Sequence, residues 1–139
     1  VEAVGFPELF ARSDVVSLHA PLLAATSVLV TGELLRRMGP DTTFINTARG
    51  AIVRESELIE VLRERPDLTA VLDVTDPEPA PADSPLRGLA NVVLTPHIAG
   101  ARHREIELLM RVALDELERH LRGEPLQFPL NEAAAAQQA

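Results

Sequence analysis

Four short runs along the chain are apolar at consecutive positions instead of alternating ones: residues 14–18 (DVVSL), 42–46 (TTFIN), 68–74 (LTAVLDV) and 91–96 (NVVLTP). Consecutive apolar positions over so short a span predict strands of a sheet covered on both faces. Helical spacing separates them. In TGELLRRMG, Thr31 stands where an N-cap belongs, and Gly39 and Pro40 supply the stop. In RESELIEVLRER, Leu58, Val61 and Leu62 fall on one stripe, and Pro66 ends the element. A third pattern runs through Ile106, Leu109, Met110, Ala113, Leu114, Leu117 and Leu121 before Gly123 and Pro125 close it. Strand and helix alternate, which predicts right-handed crossovers and an open parallel sheet with helices on both faces, an α/β fold, followed by a long C-terminal helix. The tail NEAAAAQQA predicts fraying.

In an open parallel sheet, ligands collect beyond the carboxyl ends of the strands. The residues placed there are chemically unusual. His19, Ala20 and Pro21 follow the first strand; Thr47, Ala48 and Arg49 follow the second. Asp73 ends the third, with Glu78 in the loop beyond it, and Pro96, His97 and Gly100 follow the fourth. A full positive charge directly after the apolar TFIN is explained if Arg49 stands at this rim and faces a ligand.

Composition narrows what such a rim does. Hydrophobic residues make up 46% of 139 residues, enough for a globular core. The net charge of −8 opposes nucleic acid binding, which rewards basic surfaces. All 13 basic residues are arginine, so Arg49 has to be judged by position and not by type. The chain has no cysteine, hence neither a disulfide framework nor a thiolate metal site, and no metal is expected. No apolar run is long enough for a bilayer, and residues 1–30 hold no basic stretch followed by an apolar one. A cytoplasmic protein without a membrane partner is expected.

A carboxylate beside an imidazole fixes its tautomer and favours its protonated form, and Glu78 and His97 are the candidates for such a pair. A guanidinium grips a carboxylate with two parallel N–H groups, so Arg49 suits an acidic substrate. The trio suits reduction of a keto acid: arginine orients it, and histidine protonates the oxygen as hydride arrives. Each residue also has a plainer reading, His97 as a solvated or capping side chain, Glu78 as a surface charge, Arg49 as the cap of a turn. His103 and His120 are given no role.

The segments SDVVSLHAPL, FINTARGAIV, LDVTDPEP and NVVLTPHIAG occur in this order with loops of fitting length. Together they resemble the second half of the nucleotide-binding domain of the D-isomer-specific 2-hydroxyacid dehydrogenases, over about Leu9 to Pro125. The resemblance implies a Rossmann-type domain over residues 1–100, a helix over 101–122 returning toward a substrate domain, and a partly disordered tail over 123–139. It implies NAD or NADP as cofactor, a small 2-oxo or 2-hydroxy acid as substrate, and a homodimer at full length. Arg49 would bind the substrate carboxylate and keto oxygen, His97 would be the acid/base and Glu78 its partner. Asp73 would hold the nicotinamide carboxamide. His19 and Pro21 would border the adenosine, Thr47 and Ala48 would pass the nicotinamide ribose, and Gly100 would let the chain approach the ring.

Two positions depart from the family pattern. Thr75 stands where an aromatic residue is frequent, and Ala101 replaces a hydroxyl residue. No GxGxxG turn precedes residue 14, so the sequence is expected to be the latter part of a longer enzyme and to be inactive by itself. Two other readings are an NAD(H)-sensing, corepressor-like binding protein of the same fold and an inactive fragment.

Overall fold

A computed structural model describes residues 2–137, which divide into two compact units, residues 2–97 and 98–137. In the first unit, α1 (Phe6–Arg12) leads into β1 (Val15–Leu18), then α2 (Gly32–Arg36), β2 (Thr43–Asn46), α3 (Glu55–Glu64), β3 (Thr69–Leu72) and β4 (Val92–Leu94). Short 3₁₀ turns at Gly50–Ile52 and Pro85–Gly88 precede α3 and β4. All strand pairs are parallel, and the sheet order is β1-β2-β3-β4. This is the α/β fold expected from the alternating elements.

The register places Val16, Phe44, Ala70 and Val92 in one row, and Leu18, Asn46, Leu72 and Leu94 in the next. These two rows form the face that packs against the helices. Phe10 of α1, Leu35 of α2 and Leu58, Val61 and Leu62 of α3 join Val16, Leu18, Phe44, Ala70 and Leu72 in one buried cluster. The Phe10 and Phe44 rings stack with centroids 6.3 Å apart.

The consecutive apolar strands predict cover on both faces; residues 2–97 supply it on one. Val15, Ser17 and Val93 of the opposite face are exposed, and Ile45 and Val71 are half-buried. The cause is topological. Strands added in sequential order through right-handed crossovers place their connecting helices on the same side.

Two local findings refine the helix signals. Thr31 holds the N-cap position of α2 but makes no side-chain capping bond. The Gly32 N–H donates instead to Glu57 Oε2 of α3, at 2.7 Å. Helix α1 has no periodic signature because Phe10 is its one buried residue.

In the second unit, α4 (Arg104–Leu121) and the short α5 (Glu132–Ala135) have no buried residue. Gly123, at φ +70°, ends α4, with its N–H bonded to His120 O and that of Glu124 to Arg119 O. Glu116 accepts the N–H groups of Gln127 and Phe128, folding residues 127–128 back on α4. Asn131 caps α5 by accepting the Ala134 N–H at 2.8 Å.

Candidate active site

Because Leu18, Asn46, Leu72 and Leu94 share one register row, all four strands end together and their following loops leave the same edge of the sheet. Three inter-strand steps of about 4.8 Å spread those loops over about 14 Å. His19 and Pro21 lie at one end of this line, Arg49 and Asp73 in the middle and His97 at the other end.

The loop after β2 is built around a buried amide. Asn46 is 1% exposed, and burial of its side chain requires partners. Its Nδ2 donates to Arg49 O and its Oδ1 accepts the Ala48 N–H, both at 3.0 Å, which curls residues 46–49 into a tight turn. Arg49 emerges exposed from this turn, with Nη1 donating to Ala48 O at 2.7 Å. Gly50 then passes against the next loop. A Cβ here would stand 2.1 Å from the Thr75 carbonyl oxygen, so no side chain fits.

Asp73, 3% exposed, ends β3. Its N–H donates to Asn46 O at 3.0 Å, its carbonyl accepts the His97 N–H at 3.0 Å, and its carboxylate accepts the Thr95 hydroxyl. One residue therefore ties together the ends of β2, β3 and β4. His97 has φ 51°, a region that non-glycine residues enter at a cost of about 1–3 kcal/mol. Its Nδ1 donates to Glu78 Oε1 at 2.5 Å across a separation of 19 residues. Both side chains remain accessible, at 47% and 38%, so water screens their attraction and the contact chiefly fixes direction. Nδ1–H bound to a carboxylate leaves Nε2 as the nitrogen that exchanges a proton with a ligand.

A cavity of about 420 Å³ opens here, lined among others by Asp73, Thr75, Glu78, Leu94, Thr95 and His97. Thr75 lines it while its hydroxyl donates to Pro77 O at 2.9 Å, stiffening the loop. Asp76 N–H donates to Glu55 Oε2 at 2.9 Å. Burial of Glu55 pushes its carboxyl above the ordinary glutamate range, against the opposing effect of the Asp76 N–H.

Of the residues singled out from the sequence, the structure brings Asp73, Glu78 and His97 to one cavity. Thr47, Ala48 and Arg49 leave the same sheet edge one strand away, outside the cavity lining. His19 Nε2 contacts Ser17 Oγ at 2.8 Å, and the Pro21 carbonyl accepts the Thr26 hydroxyl at 2.5 Å. Gly100 belongs to the second unit, with open space around its Cβ position. His103 and His120 are exposed. Among the described residues, no group of three His, Cys, Asp or Glu is placed to hold a metal, and no helix is long and apolar enough to cross a membrane.

Asn46, Gly50, Glu55 and Thr95 escape the sequence reading although they shape the site. The one signal available for Asn46 is an amide ending an otherwise apolar strand. Glu55 gives none, since an acidic residue in the first turn of a helix is commonplace.

Comparison with known proteins supplies the family. Residues 1–99 match the family model described as D-isomer specific 2-hydroxyacid dehydrogenase, NAD binding domain. The chain is 44% identical over 113 residues to (S)-sulfolactate dehydrogenase of Chromohalobacter salexigens, an alignment covering 81% of this chain and 37% of that protein. It is 38% identical over 125 residues to human glyoxylate reductase/hydroxypyruvate reductase, covering 90% of this chain and 38% of the other. The crystal structure of a D-isomer specific 2-hydroxyacid dehydrogenase from Xanthobacter autotrophicus, in complex with NADPH and MES, superposes with a TM-score of 0.79. At 32% identity it covers 92% of this chain and 41% of the other. The chain thus spans well under half the length of these relatives. With motifs, fold and strand-end loops in agreement, the chain belongs to the NAD-binding domain family of the D-isomer specific 2-hydroxyacid dehydrogenases.

Proposed function

We propose that this chain provides the nicotinamide side and the acid/base pair of an NAD(P)-dependent enzyme that interconverts a 2-oxo acid and its D-2-hydroxy acid. The observation that carries this reading is the 2.5 Å contact between His97 Nδ1 and Glu78 at the mouth of the cavity. The donor set fits a nicotinamide. A buried carboxylate at Asp73 suits the carboxamide N–H, and Leu94 and Ala80 give the recess apolar wall. When bound, the reduced nicotinamide supplies the hydride.

The protein's own residues do the rest. Arg49 holds the substrate carboxylate through its planar fork and polarises the keto oxygen. His97 Nε2 gives its proton to that oxygen during reduction and takes it back during oxidation, while Glu78 holds the ring in the orientation that presents Nε2. Further along the edge, Thr47 and Ala48 pass the ribose and His19 and Pro21 border the adenosine. Ala48 N–H is already used by Asn46, so its carbonyl is the backbone group with spare capacity.

The relatives include a sulfolactate dehydrogenase and a glyoxylate/hydroxypyruvate reductase, which supports small, anionic 2-oxo acids as the substrate class. A panel of such acids, assayed with NADH and NADPH in an enzyme of full family length that carries this chain, tests the proposal, with turnover lost in His97→Asn. Absence of turnover with every acid, together with nucleotide-dependent binding to a protein partner, would replace it by the corepressor-like reading.

A further inference from the structure

The Thr75–Asp76 peptide unit is held on both edges from the neighbouring crossover. Its carbonyl lies against Gly50, where even a Cβ would come within 2.1 Å, and its N–H donates to Glu55 Oε2 at 2.9 Å. Gly50 and Glu55 bracket the 3₁₀ turn that leads into α3, so the clamp comes from the rigid start of a helix. Beyond the clamped peptide the chain has little freedom before Glu78. The Thr75 hydroxyl bonds to Pro77 O at 2.9 Å, and Pro77 and Pro79 flank Glu78 with fixed backbone torsions. Glu78 then meets His97 at 2.5 Å. An acidic side chain at a helix start ordinarily stays in water, where it complements the helix dipole. Glu55 is half-buried and spends an oxygen on the amide of a loop 21 residues away.

We infer that Glu55 is a positioning residue: by holding the Thr75–Asp76 peptide it sets where Glu78 meets the His97 ring. The inference deepens the dehydrogenase reading and rests on it for its catalytic meaning. Two variants separate positioning from charge. Glu55→Gln keeps the length and an acceptor oxygen but loses the charge. Glu55→Asp keeps the charge but withdraws the acceptor by one methylene, beyond hydrogen-bond reach of Asp76 N–H.

The test uses imidazole ¹H–¹⁵N spectra of the 139-residue chain, in which the His97 Nδ1 proton is identified by its loss in Glu78→Ala. Glu55→Gln should retain that resonance, and Glu55→Asp should broaden it or shift it toward the Glu78→Ala spectrum. In turnover of an enzyme of full family length that carries this chain, Glu55→Asp should lower kcat by about 10- to 100-fold, as for a misplacement remote from the reacting atoms, with KM for the 2-oxo acid within about twofold. The reverse ranking, Gln losing the resonance and Asp keeping it, would overturn the inference in favour of a plain helix-dipole role. So would spectra that neither variant alters. Absence of turnover in an enzyme of full family length that carries this chain would defeat the dehydrogenase reading alone, since the spectra decide the role of Glu55 independently.

Discussion

Helices α3 and α4 are both amphipathic, and they meet opposite fates. In α3, Leu58, Val61 and Leu62 are 2%, 0% and 3% exposed. In α4, Leu109, Leu114 and Leu117 are 60%, 55% and 52% exposed, on a stripe of the same spacing. Periodicity therefore says which face of a helix is apolar and nothing about what it meets. Residues 2–97 enclose a core of their own, whereas the described part of residues 98–137 has no buried side chain. The candidate site follows the same division, since Asp73, Glu78 and His97 all stand on the unit with the core.

The sharpest way to break this contrast is to place one charge on each helix. Val61→Asp would bury an unpaired carboxylate in the core, costing on the order of 4 kcal/mol or more, and should abolish cooperative melting of the chain by circular dichroism. Leu114→Asp, on an exposed stripe, should change stability by less than about 0.5 kcal/mol and reduce self-association in sedimentation. Equal damage from both would mean that α4 is packed in solution.

A second contrast separates the site from the core beneath it. His97→Asn should lower kcat by about 10² to 10⁴ through loss of the proton donor. Its melting temperature should stay near that of the wild type, because the side chain is half exposed and asparagine tolerates positive φ. Arg49→Lys keeps charge but loses the fork, so KM for the oxo acid should rise by about tenfold with a smaller loss in kcat. Steady-state kinetics with the preferred acid checks both.

The smallest expected effect concerns pH. Burial raises the carboxyl of Glu55 above its ordinary range, so the folded state binds its proton more tightly than the unfolded chain. That contribution is present below the unfolded glutamate pKa and is lost as pH rises through the raised folded value. Glu55→Gln stays neutral and keeps an acceptor, so it should melt slightly above wild type at pH 7, by a margin that water screening of the partly exposed carboxylate keeps small, and equal it near pH 3. Asp67 works in the opposite sense. Arg65 holds it below its ordinary range, so its contribution is present above the unfolded aspartate pKa and fades as pH falls through the folded one. Melting curves across pH 3–7 for the Glu55 and Asp67 variants resolve the two signs.

Legibility from sequence tracks the range of the interactions involved. The strands and the helices α2, α3 and α4 are local patterns, and they read directly. The helix α1 does not, because a lone buried phenylalanine makes no period. One-sided cover of the sheet is invisible in the same way, since Val15 and Val93 are as β-branched as the buried Val16. At the candidate site, the meeting of Asp73, Glu78 and His97 at one cavity is legible because strand ends are predictable places. Asn46, Gly50 and Glu55 act through backbone groups, and for Gly50 and Glu55 those groups belong to the loop after β3, so their roles emerge only once the crossover has brought the loops together.

The contact between Gly50 and the Thr75 carbonyl sets a hard boundary for anyone diversifying this protein. The obstacle is main chain on a clamped loop, so no rotamer change relieves it, and even alanine would have to push the loop bearing Glu78 aside. In a saturation library, position 50 should therefore return glycine alone among active clones, while Arg49 beside it admits folded but impaired substitutions. A recombination scheme that separates residues 50 and 75 between parents should succeed only where both parents carry glycine at the first.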